Sequence, residues 1–403
     1  MKVYKGTSLD GQAVHYVDRK RWLWTVSVLY PLQPFAYLWM HSKIGNDAWL
    51  LLPFALNYLL APLLDWLIGE DSSNPPEEVV MQLEKDLYYR RLTYIIVPLH
   101  FLSFIICAAY ATTQSMGWPA FMLLAAFSGI NSGLAINTAH ELGHKNTAIE
   151  KLLAKIVLAI PAYGHFTIDH NRGHHKQVST YGDSSSSRMG ETIYKFALRE
   201  IPGSFNNAWT IEKERLQTRG MPVWHHSNAI LQSYVLSLVM VLILLISFGW
   251  IIIPFLLIHH FAAYGQLTSA NYIEHYGLLR KKAADGTLER CQPHHSWNSN
   301  NVFSNLVLFH LERHSDHHSY PQRRYQSLRH FDHLPTLPNG YFGMYLLAYF
   351  PSFWFKVMDK RLMALPNVNG DLNNVNIDRT AHPSLFLRWG QDKISESTYT
   401  NLP

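Results

Sequence analysis

The chain has 403 residues, 48% of them hydrophobic and 16% charged, with a formal charge of +5 and only two cysteines, Cys107 and Cys291. The apolar residues fall in long runs instead of at a surface period, which excludes an ordinary soluble domain and marks a membrane bundle. Two isolated cysteines exclude a disulfide framework and an iron-sulfur cluster, and without a long basic run interleaved with aromatics the mild positive charge does not mark a nucleic-acid binder.

Crossing about 30 Å of hydrocarbon takes roughly 20 helical residues. Residues 22–40, 47–68, 92–113, 117–138, 228–249 and 251–272 meet that length with few or no charges, predicting six spans. The stretch 150–164 carries Lys151 and Lys155 and ends near Pro161, so it reads as an interfacial or core helix; 341–357, rich in aromatics, reads as lying along the membrane surface. From Pro366 to Pro403 the chain is polar, with turn signals. The fold class is thus an all-α integral membrane protein with a cytoplasmic helical and loop-rich cap. Its parts are an N-terminal membrane region 1–139, a histidine-rich segment 140–227, a transmembrane hairpin 228–272, and a C-terminal cap and tail 273–403.

Positive loops stay on the cytoplasmic side. Lys2, Lys5, Arg19, Lys20 and Arg21 precede the first span, and Lys85, Arg90 and Arg91 lie between the second and third, whereas the other side offers only Lys43. Both termini and every histidine cluster are therefore expected in the cytoplasm. A basic leader followed by two full spans predicts no cleavable signal peptide.

Nine histidines stand at metal-ligand spacing beside the apolar runs: His140 and His144; His170, His174 and His175; His275; and His314, His317 and His318. Residues four apart on a helix share a face, so each cluster aims ring nitrogens at one point. His140-Glu141-Leu142-Gly143-His144 alone matches a zinc-protease signature, with the glutamate as general base. One zinc would leave most of the other seven histidines idle, however, and nine ligands suit two ions with positions left open. A metal transporter is ranked lowest, since only His100, His259 and His260 approach the middles of spans. Each ligating ring needs an acceptor for its other N–H, and Glu141, Asp169, Glu274, Glu312 and Asp316, together with Asn271, are the nearby candidates. His165, His225, His226, His294, His295, His310, His330 and His333 lack the spacing, although His294 and His295 are candidates for contacts behind the ligands.

At these residues the chain resembles the membrane-bound alkane 1-monooxygenases, the alkane omega-hydroxylases of the histidine-rich membrane di-iron superfamily that includes fatty acid desaturases. The resemblance runs along nearly the whole length. It is carried by His-Glu-Leu-Gly-His-Lys at 140–145, Asn-Tyr-Ile-Glu-His-Tyr-Gly-Leu at 271–278, Arg-His-Ser-Asp-His-His at 313–318, Asn-Pro-Pro-Glu-Glu at 74–78 and Pro-His-His-Ser-Trp-Asn-Ser at 293–299. Asp169 stands where the family usually has glutamate and Glu312 where it usually has glutamine. The 271–278 motif favours alkane hydroxylases over desaturases.

The resemblance implies that the nine histidines hold two irons, that molecular oxygen is co-substrate, and that the terminal methyl of a medium- or long-chain n-alkane becomes a primary alcohol. It implies electrons from a rubredoxin, with its reductase and NADH upstream, and a place in the bacterial inner membrane. Lys145, Arg172, Lys176, Arg323 and Arg324, beside the clusters, are candidates for meeting an acidic donor. An alkane has no polar handle, so a tunnel between spans is expected to place its last carbon by shape alone. Asn57, Tyr58, Gly129, Gly133 and Asn137, small or polar at membrane depth, either line that tunnel or serve helix packing.

Overall fold

Six long helices carry the computed structural model, which describes residues 2–283 and 285–389. They are α1 (Asp47–Ile68), α2 (Leu87–Thr113), α3 (Trp118–Gly143), α4 (Ile193–Gln217), α5 (Ala229–Phe248) and α6 (Ile252–His275). Among the described residues, α1, α2, α3 and α5 are the four long and apolar enough to cross a membrane. Two of the six expected spans differ. Residues 22–40 break into Thr25–Leu29, a 3-10 turn Tyr30–Leu32 and a helix Gln33–Ile44, because Pro31 and Pro34 each remove a backbone donor. α6 is continuous over 24 residues but falls short in apolarity, since it carries His259, His260, Gln266 and Asn271.

α3 is the axis of the bundle, packed against α6 on one side and α2 on another. Its glycines permit that approach: a Cβ on Gly129 would stand 2.2 Å from the His259 carbonyl oxygen, and one on Gly133 2.5 Å from Gln266 Cβ. Beneath the bundle, Tyr272, Tyr276, Trp297, Tyr341 and Trp354 build one large aromatic core from segments far apart in sequence.

The all-α expectation missed an N-terminal antiparallel hairpin, Lys2–Thr7 paired with Ala13–Asp18, with Lys2 opposite Asp18. The hairpin seats on the helix Glu77–Lys85, close enough that a Cβ on Gly6 would meet the Glu78 carbonyl at 2.7 Å. Lys2, Arg21 and Tyr4 then converge on Asp86, with Arg21 Nη1 at 2.6 Å. The stretch 150–164 begins as the amphipathic helix Ala148–Val157, in which Ala154 and Val157 are buried while Ile149 and Leu152 are exposed. The aromatic stretch 341–357 is core more than surface: Tyr341, Phe342 and Trp354 are buried, and of its aromatic residues only Phe350 and Phe353 are largely exposed. The tail is not simply polar, because Val368, Leu372, Val375 and Ile377 join the aromatic core; its last residues, 390–403, lie outside the described residues.

Candidate metal centre

The nine predicted histidines converge where α3, α6 and two short helical segments meet. His140, His144, His170 and His317 form one buried tetrad and His174, His275, His314 and His318 a second, the ligand atoms of each lying within 4.8 Å of one another. His175 joins the first, with its Nε2 3.1 Å from Nε2 of both His170 and His317, and stacks on His318 of the second at 4.3 Å between centroids.

Local backbone geometry makes this division. α3 carries His140 and His144 one α-turn apart, and His314–Ser319 carries His314 and His318 likewise, so each pair stays together. His170 and His174 have the same spacing but separate. Residues His170–His174 form a π-turn, in which the His175 N–H donates to the His170 carbonyl. The wider turn brings His175 beside His170 and sends His174 to the other tetrad.

The arrangement fits metal ions and little else. Nε2 atoms face each other at 2.9 Å (His140 and His317), 3.2 Å (His275 and His314) and 3.0 Å (His314 and His318). Two metal–nitrogen bonds of about 2.1 Å at a right angle place their nitrogens about 3.0 Å apart, whereas a tetrahedral angle requires about 3.4 Å, so the spacing suits a higher-coordinate ion better than tetrahedral zinc. His144 Nε2 and His174 Nε2 are buried without any hydrogen-bond partner, as nitrogens reserved for an ion would be. Burial, reinforced by the neighbouring imidazoles, pushes His170, His175, His314, His317 and His318 well below 6.5, into the neutral form that ligates.

Most of the expected supporting acids do not touch a ligand ring. Glu141 holds Lys145 at 3.1 Å, Asp169 accepts from Asn207 Nδ2 at 2.6 Å, Glu312 accepts from the Tyr341 N–H at 2.7 Å, and Asp316 holds Arg323 at 3.2 Å. Asn271 donates to Glu200 at 3.0 Å. Glu274 does reach a ring, its Oε2 lying 3.4 Å from His314 Nε2 while its Oε1 has no partner. Two further acceptors meet the clustered rings: Asp183, which sequence reasoning missed, accepts from His174 Nδ1 at 2.8 Å, and His295, expected behind the ligands, does so through its carbonyl, which accepts from His275 Nδ1 at 3.0 Å. Nothing in the spacing marked Asp183, which sits in a serine-rich loop. Burial works to raise its pKa, but the His174 ring and the bonds from His174 and Ser186 outweigh it and hold the carboxyl below 3.8.

A cavity of about 60 Å³ ends on the site, lined by His140, His170, His314 and Glu274 at one end and by apolar groups such as Leu134, Leu267 and Phe342 elsewhere. Of the expected tunnel residues, Asn57, Gly133 and Asn137 line it. Asn57 lies in a π-turn of α1, Leu56–Leu60. Tyr58 stands behind the wall, accepting from Gln266 Nε2 at 2.8 Å, and Gly129 serves the contact with α6. The remaining histidines stay out of both tetrads: His100 pairs with Thr138 and His259 with Ser132, while His333 is exposed. Of the expected docking cations, Arg172 and Lys176 are exposed, but Lys145 is buried and donates to the Arg323 carbonyl at 2.7 Å.

Membrane-length helices closing over two imidazole tetrads and an apolar cavity define a membrane-embedded polyhistidine metalloprotein. Residues 115–351 match the fatty acid desaturase family. Alkane 1-monooxygenase 1 of Alcanivorax borkumensis is 52% identical over 368 residues, 91% of each chain. The alkane 1-monooxygenase of Pseudomonas putida is 51% identical over 374 residues (93% of this chain, 92% of that one), and that of Ectopseudomonas oleovorans 48% over 389 (96% of each). The chain belongs to the alkane 1-monooxygenase family, within the wider fatty acid desaturase family.

Proposed function

We propose that the chain is an alkane 1-monooxygenase of the bacterial inner membrane. It converts a medium- or long-chain n-alkane, O2, two electrons and two protons into a 1-alkanol and water. The observation that carries this reading is the convergence of nine imidazoles, eight buried and that of His175 half-buried, at the end of an apolar cavity. Two irons, each bound through one tetrad with His175 completing the first, would supply O2 activation and the redox capacity that no side chain has.

The chain's own residues do the rest. The substrate already dissolves in lipid, so passing into an apolar cavity adds little binding energy and shape alone sets the reacting carbon. The cavity walls exclude water and bring a chain end to the face made by His140, His170 and His314. Asp183 and the His295 carbonyl fix the tautomers of His174 and His275, so that each turns Nε2 inward. We assign six spans, counting the broken 22–44 segment and α6, with both termini and the histidine sites cytoplasmic, as the lysine and arginine placement supports.

Rubredoxin, with its reductase and NADH, is the proposed electron source. Purified protein supplied with these, an n-alkane and O2 yields 1-alkanol and contains two irons per chain. One zinc and no iron overturns the reading in favour of a hydrolase built on His140 and His144, as does iron-loaded protein inactive across alkane chain lengths.

A further inference from the structure

Two electrons per turnover must reach the tetrads, and a chain with two isolated cysteines has no cluster in which to store them. On the reading above, a carrier protein docks on the outside. Three of the five expected cations are poor candidates for the contact: Lys145 is buried, Arg323 is held by Asp316 at 3.2 Å, and Arg324 is held by Glu150 at 2.8 Å.

A different face carries unpaired positive charge. Lys176, Lys281 and Lys282 are exposed, and none forms an ion pair among the described residues. Lys281 and Lys282 line a groove of about 750 Å³ whose opposite wall is Gln177 to Gly182, the residues that follow Lys176. Acids on this rim already have partners: Asp285 accepts from the Thr287 N–H at 2.9 Å, and Glu289 accepts from the Lys281 N–H at 2.6 Å and lies 3.2 Å from His295 Nε2. Arg280 ties the two walls together, with Nη1 donating to the Lys176 carbonyl at 2.8 Å and Nε to the Glu289 carbonyl at 3.1 Å.

Beneath the groove runs a direct polar link to the metal site. Ser179, in the groove's wall segment, donates to the His295 carbonyl at 2.8 Å, and the same carbonyl accepts from His275 Nδ1 at 3.0 Å. Two hydrogen bonds that share one carbonyl oxygen thus link the loop beside the groove to a ring of the second tetrad.

From this juxtaposition of free lysines, a concave surface and a ligand-linked backbone, we infer that the groove between 176–182 and 279–288 is the docking site of a small acidic one-electron carrier protein. Each docking event oxidises the carrier by one electron. Two events supply the pair that, with two protons, cleaves O2 as one oxygen enters the terminal C–H bond and the other leaves as water. Charge complementarity steers such encounters and fixes their register, so binding weakens with salt.

The test uses rubredoxin as the acidic carrier and full-length protein with Lys176→Glu, Lys281→Glu and Lys282→Glu combined. Rubredoxin binding is measured by surface plasmon resonance at low and high salt, alongside KM for rubredoxin and kcat. The variant binds at least ~10-fold more weakly at low salt, with a flattened salt dependence and a matching rise in KM. Its iron content and its turnover at saturating rubredoxin stay unchanged, and Lys281→Gln with Lys282→Gln gives a smaller loss in the same direction. Lys356→Glu with Lys360→Glu, exposed on the helix Pro351–Met363, binds as the unaltered protein does. Unchanged binding in the triple variant, or an equal loss in the Lys356 and Lys360 pair, overturns the docking site. Failure of the unaltered protein to form alcohol overturns the proposed activity instead, whatever the binding data show.

Discussion

Asp183→Asn isolates the contribution of a carboxylate that touches no ion itself. Its Oδ2 accepts from His174 Nδ1 at 2.8 Å and from Ser186 Oγ at 2.6 Å, and its Oδ1 accepts from the Ser185 N–H at 3.1 Å. All three neighbours donate, so an amide of the same shape must turn its NH2 toward one of them and lose at least one bond. It also removes the negative charge that raises the pKa of His174 against the opposing effect of burial, and with it the extra basicity this ring lends its Nε2. Losing a carboxylate behind a metal-bound imidazole typically lowers metal affinity ~10- to 100-fold, or about 1.4 to 2.7 kcal/mol. Iron titration of apoprotein, followed optically with a competing chelator, should show that loss in the second tetrad while the first fills normally. Asp169→Asn is the comparison: that carboxylate is adjacent in sequence to His170 but bonds Asn207. If Asp183→Asn holds both irons as tightly as the unaltered protein, the orienting role assigned to Asp183 is wrong.

His175→Ala should cost the first site an ion and abolish turnover, whereas His333→Ala, exposed and outside both tetrads, should leave iron content and rate unchanged; metal analysis and an alcohol assay distinguish them. Gly129→Ala drives a Cβ against the His259 carbonyl and should destabilise the α3–α6 contact by roughly 1 to 3 kcal/mol, seen as a lower melting temperature in detergent. Glu200, buried between α4 and α6, accepts from Thr268 at 2.8 Å and Asn271 at 3.0 Å, and burial raises its carboxyl from 4.5 to about 7 against the effect of those bonds and of Arg199, with Asp183 adding to the rise. Folded protein then holds this proton more tightly than unfolded protein, so the contribution is complete below pH 4.5 and lost as pH rises through 7. Glu200→Gln should therefore be more stable than the unaltered protein at pH 8, by up to about 3 kcal/mol, and level with it near pH 4.5. Parallel melting curves across that range would refute the assignment.

The convergence of the nine histidines was legible in the sequence because metal binding demands rings on one face, and one face of a helix is a spacing. Their partition was not legible, since four residues mean one turn in an α-helix but less than one in the π-turn at His170–His174, and which backbone forms there depends on packing. The same geometry explains why neighbouring acids misled. A residue next to a ligand on a helix points about 100° away from it, so Glu141 beside His140 reaches Lys145, and Asp316 beside His317 reaches Arg323. The acceptors that matter come from other segments: Asp183 nine residues beyond His174 in sequence, and His295, whose motif marked it as a candidate but which acts through its backbone carbonyl and not its ring. Cations follow the same logic: Lys145, Arg323 and Arg324 are held by Glu141, Asp316 and Glu150, whereas Lys176, directly after His175 in sequence, is exposed and forms no ion pair among the described residues, so spacing alone does not tell a held charge from a free one.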